Sequence, residues 1–154
     1  MEEQELFLED FVNIVKERDA DVVLIAGDIY DSSNPPAKAE QLFYDTLKKI
    51  SDGGRRLTIV IAGNHDNPDR LVSATPLAME HGIIMVGTPK TVIPKGQYGS
   101  WEVCRSGEGY IKIERKSEQA VVLTVPFPSE KGWKRYFIRR WNRKKYNWKR
   151  IMRG

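Results

Sequence analysis

Two short apolar runs, each ending in glycine and a polar motif, most constrain what this chain can fold into. Residues 21–28 read DVVLIAGD, and residues 57–66 read LTIVIAGNHD. Both runs are continuous and rich in β-branched residues, the pattern of strands buried on both faces in a parallel sheet. Between them, SSNPP at 32–36 marks a turn and a helix start. An amphipathic stretch then runs from about Pro36 to Ile50, with Leu42, Phe43, Leu47 and Ile50 on one face. SDGG closes it. Strand, helix and strand in this order make one βαβ unit.

The flanks extend the same reading. Residues 2–18 form an amphipathic helix with Leu8, Phe11, Val12 and Val15 on its apolar side. Residues 69–81 have helical character with Pro76 inside, which predicts a kink or a late start. IIMVG is a further short strand. After Pro94, glycine and proline punctuate alternating runs at 100–105, 109–115 and 120–125, which read as antiparallel strands. The class is α/β, and 154 residues suffice for one domain with a sizeable core.

Several function classes are excluded. No apolar run approaches the roughly 20 residues that span a bilayer, and the acidic start MEEQELFLED lacks the pattern of a signal peptide. A cytoplasmic chain with no membrane partner is expected. A single cysteine, Cys104, excludes an intramolecular disulfide and a cysteine-built zinc site. The net charge of +4 hides two segments. Residues 131–154 carry 11 Lys and Arg and no acid, whereas residues 1–130 carry 14 basic and 21 acidic residues. The basic character belongs to the tail.

The chemistry sits in Gly27-Asp28-Ile29-Tyr30-Asp31 and Gly63-Asn64-His65-Asp66. Both motifs follow strands of one βαβ unit, so both emerge at the edge of the sheet where α/β folds hold ligands. Asp28 offers a carboxylate able to bridge two cations, Asn64 an amide oxygen and His65 an imidazole. Mixed oxygen and nitrogen donors suit Mn²⁺, Fe²⁺ or Zn²⁺. Asp31 and Asp66 are placed to accept hydrogen bonds from the histidine or from backbone amides. Either motif alone reads equally well as a turn or a helix cap. The pair, at matched positions, is the more specific signal for a dinuclear site.

GDxxD followed by GNHD resembles the calcineurin-like metallophosphoesterases. The stretches AGDIYDSSNPP, IAGNHDNPDRL, SATPLAMEHGI and VPFPSE are similar, more narrowly, to the SbcD chains of SbcCD-type nucleases. That resemblance covers residues 1 to about 130. It implies part of a two-sheet sandwich flanked by helices, with Asp28 and Asn64 as metal ligands and His65 as the catalytic histidine. It implies two divalent ions, Mn²⁺ foremost, that polarise a phosphodiester and activate a bridging water. The implied substrate is double-stranded DNA, degraded 3′ to 5′ and opened at hairpins during recombination, replication and repair. The implied partners are an SbcC-type ATPase and, in the full-length family, a second copy. Other phosphoesterases, acting on cyclic nucleotides or phosphoproteins, are the alternative within the superfamily. A non-catalytic DNA-binding fragment is the alternative outside it.

The family pattern also contains an earlier Asp-x-His, a lone His and a Gly-His-x-His, none of which occurs here. The remaining histidine, His81, reads as a helix-end residue. The resemblance therefore implies a fragment truncated at both ends, with an incomplete metal cage and little activity. The tail at 131–154 carries Trp133, Trp141 and Trp148 among its cations. It reads as a nucleic-acid arm, as a basic amphipathic segment, or as a disordered or out-of-frame continuation of a Glu-rich stretch. The last is the expectation adopted.

Overall fold

The computed structural model describes residues 2–73 and 75–127. The first half places helices against a parallel sheet. Helix α1 (Glu2–Glu17) leads to β1 (Val22–Ala26), α2 (Ala37–Ser51) and β2 (Leu57–Ile61). Short helices α3 (Pro68–Val72) and α4 (Thr75–Glu80) then lead to β3 (Ile83–Val86). The three strands form one parallel sheet in the order β1-β2-β3, with Leu24 beside Ile59 and Ile59 beside Ile84. The second half is an antiparallel meander of β4 (Gly96–Tyr98), β5 (Trp101–Gly107), β6 (Tyr110–Arg115) and β7 (Glu118–Leu123).

Alternation along β2 divides the core into layers. Leu57 and Ile59 face the meander and pack with Ile84, Val86, Trp101, Val103, Ile111 and Ile113. Val60 and Ala62 face the helices and pack with Leu47, Leu71 and Met85. Val12 and Val15 of α1 meet Val23 and Ile50 in a third cluster. Leu57, Ile59 and Val60 are fully buried, and each such side chain contributes about 1.5–3 kcal/mol relative to exposure. The architecture is the expected α/β sandwich, with the helices lying against the parallel sheet.

The structure departs from the expected pattern at β1 and at β4. The run at 22–26 is not buried on both faces: Leu24 is 56% exposed. The reason is its position at the sheet edge. Asp21 O accepts from Leu57 N and Gly27 N donates to Ile61 O, so the odd-numbered residues bond to β2. The N–H and C=O groups of Val22, Leu24 and Ala26 point the other way, with no strand beside them among the described residues. The interruption expected near Pro76 is present: α3 ends at Val72 and α4 starts at Thr75, with Pro76 in its first turn, where its missing N–H costs nothing. β4 was not foreseen: its three residues, GQY, carry too little pattern to register. The expectations for residues 131–154, and for the end of the VPFPSE run, lie outside the described residues.

Candidate metal centre

β1 and β2 run parallel, so the two motif loops leave the sheet at the same edge. Gly27 (φ 82°) and Asp28 (φ 40°) are consecutive left-handed residues that turn the chain out of β1. Glycine takes that conformation freely, and aspartate is among the few other residues that tolerate it. The second glycine has a different task. A Cβ on Gly63 would overlap the Asp28 backbone nitrogen and Oδ1, so only a hydrogen there lets the loops touch.

The candidate site residues adjoin that contact. The His65 amide donates to Asp28 Oδ1 at 3.3 Å. Asn64 lies between Gly63 and His65, and Asp28, Asn64 and His65 are all exposed. Asp66 is buried beneath them, 6% exposed. Its Oδ2 accepts from Gly63 N at 2.7 Å and Ile29 N at 3.1 Å, and its Oδ1 from Tyr30 N at 3.0 Å. The expectation that Asp66 accepts from backbone amides therefore holds. The parallel expectation for Asp31 does not. Asp31 is exposed and no hydrogen bond to its carboxylate is found among the described residues.

The helix-cap role belongs to Asn67 rather than Asn64. Asn67 Oδ1 accepts from Asp69 N (3.1 Å) and Arg70 N (3.3 Å), and Pro68 opens α3. This frees Asn64 for a ligand. Arg70 then reaches back to Glu40 on α2, at 2.5 and 2.9 Å, and to Asn34 Oδ1 at 2.6 Å. The Arg70 hydrogen bond holds the Glu40 carboxyl below the usual carboxylate range. Sequence reasoning missed this clamp, since a separation of 30 residues leaves no local signal. It also missed Tyr30, whose ring meets Phe43 edge-on at 5.7 Å. Burial, foremost, raises the Tyr30 phenol well above its ordinary pKa, and its hydroxyl has no partner among the described residues. A groove of about 740 Å³ runs from Asp28 and Tyr30 along Phe7, Leu24 and Phe43.

His81 is placed elsewhere. It precedes Gly82, whose carbonyl accepts from Thr58 N at the amino end of β2, opposite the motif loops. Among the described residues no three His, Cys, Asp or Glu side chains cluster as a metal cage. Asp28 and Asn64 thus fit one edge of a metal pair and do not fit a complete two-metal centre.

Residues 3–152 match the calcineurin-like phosphoesterase family. The chain belongs to that family. Two curated relatives, both D-type chains of the SbcCD nuclease, are similar to it in sequence. The one from Bacillus subtilis (strain 168) is 52% identical over 91 residues, 59% of this chain and 23% of the relative. The one from Rhodobacter capsulatus is 36% identical over 87 residues, 56% of this chain and 22% of the relative. The chain spans less than a quarter of the length of these relatives in the matched region.

Proposed function

We propose that this chain carries part of the catalytic domain of a metal-dependent DNA nuclease of the SbcCD type. The observation that carries the reading is the contact between the two motif loops: Asp28, Asn64 and His65 converge at the carboxyl edge of a parallel sheet. The names of both relatives point the same way.

In this reading Asp28 and Asn64 would be residues that hold divalent ions, Mn²⁺ foremost. His65, exposed beside them, would stabilise the transition state or protonate the leaving oxygen. Bound there, such ions would supply charge neutralisation at the phosphate and a more acidic water. The substrate is double-stranded DNA, taken 3′ to 5′ from ends and cut at hairpins, in recombination, replication and repair. An SbcC-type ATPase is the partner, the assembled nuclease contains two copies of this protein, and the setting is cytoplasmic. Among the described residues no helix is long and apolar enough to cross a membrane. No cleavage step is assigned to the 154-residue chain alone, because its described donors hold only one edge of the metal pair.

Paramagnetic broadening tests the assignment. Mn²⁺ added to the purified chain should broaden the amide signals of residues 27–31 and 63–66 together, with one midpoint. Asp28→Ala should abolish the effect. Broadening that spares these loops, or that survives Asp28→Ala, overturns the metal assignment.

A further inference from the structure

The ladder between β1 and β2 ends where Gly27 N meets Ile61 O. Beyond that point, the loops that carry Asp28 and Asn64 need other links to keep their separation. Asp66 supplies them. Its carboxylate sits on the second loop and accepts from Ile29 and Tyr30 on the first, while holding Gly63 on its own. An ionised carboxylate is an acceptor only, with two oxygens to share among several N–H groups. Hydrogen bonds to it are stronger than those between neutral groups. The side chain is buried and three amides already hold it, so Asp66 is unsuited to be a ligand itself.

We propose that Asp66 is the positioning residue of the metal centre: by gripping the amides of Gly63, Ile29 and Tyr30 it sets the separation of Asp28 and Asn64, and with it the affinity of that pair for a divalent cation. The clause on affinity rests on the metal reading above. The clause on separation does not. Asparagine at this position sets an NH₂ group against a backbone N–H whichever way it turns, facing Tyr30 if its oxygen replaces Oδ2 and facing Gly63 and Ile29 if its oxygen replaces Oδ1, so the grip on the first loop is weakened. Glutamate keeps the charge but extends the carboxylate by one methylene, pushing the loops apart.

The His65 amide is the reporter, because its acceptor is Asp28 and not Asp66. In the metal-free full chain, Asp66→Asn should weaken the cross-loop nuclear Overhauser contacts between Asp28 and His65. Amide signals of β2 and β3 should stay in place. With Mn²⁺ as the probe, the broadening midpoint should rise roughly 10- to 100-fold, the usual effect of losing a group that orients ligands. Asp66→Glu should keep the fold and also weaken Mn²⁺. Asp31→Asn, on an exposed neighbour, should change neither readout. The proposal is overturned if Asp66→Asn and Asp66→Glu keep the Asp28–His65 contacts and the native midpoint. It is also overturned if both variants lose the β2 and β3 signals, since Asp66 would then hold the fold and not the spacing. If the unsubstituted chain shows no Mn²⁺ effect at either loop, the metal reading fails, and the metal-free contacts still decide the role of Asp66.

Discussion

The backbone N–H of His65 donates to the carboxylate of Asp28 across 3.3 Å, joining residues 37 positions apart. The bond forms because Gly63 brings no Cβ into the space that Asp28 fills.

Gly63→Ala should destabilise the chain by about 1–3 kcal/mol, the usual cost of forcing atoms into filled space. Gly63 is not among the residues with positive φ, so the effect isolates the close approach. Urea denaturation measures it, and a variant as stable as the parent would contradict the contact.

Asp28→Gly and Asp28→Ala both remove the carboxylate, and both should abolish Mn²⁺ binding at the loops. They should differ in stability. Residue 28 has φ 40°, which glycine adopts without the penalty of about 1–2 kcal/mol that a side chain incurs. The glycine variant should therefore melt at the higher temperature. Equal melting temperatures would remove the strain assigned to this position.

Glu40 gives the fold a pH dependence. Its hydrogen bond to Arg70 lowers the carboxyl pKa in the folded state. The unfolded chain therefore takes up the proton first on acidification. Stability from the clamp is present above the unfolded pKa and is lost as pH falls through the lowered one. Between about pH 5 and pH 3, Glu40→Gln should show a shallower loss of stability than the parent. Parallel profiles would mean that the clamp adds nothing in solution, as many partly exposed ion pairs do.

The purified 154-residue chain should show no more than trace Mn²⁺-dependent cleavage of a DNA hairpin. A tight metal site needs a full donor set, and the described residues supply one edge of it. Robust cleavage that disappears with Asp28→Ala would show that the cage is complete after all.

Much of this was legible in the sequence, and the exceptions have physical causes. Continuous apolar runs announced β1 and β2, and their pairing fixed the edge on which Asp28 and Asn64 emerge. Leu24 misled because hydrophobic pattern records what a strand is suited to pack against and not what lies beside it. Asp31 and Asp66 looked equivalent as acidic residues closing similar motifs. Only the turn at Gly27 and Asp28 decides which of them faces the other loop. The Arg70–Glu40 clamp depends on how α3 sits against α2, a tertiary relation that no local spacing encodes.

The outer rim of β1 has a practical consequence for handling the protein. Among the described residues, Val22, Leu24 and Ala26 present a row of backbone groups with no strand beside them, next to an exposed leucine. A bare strand of this kind is a template for stacking one molecule on another. β-Branched neighbours with no proline or lysine among residues 22–26 do nothing to discourage it. Concentration, more than temperature, should set the working limits of the purified chain. A single lysine in place of Leu24 is the change best suited to extend them.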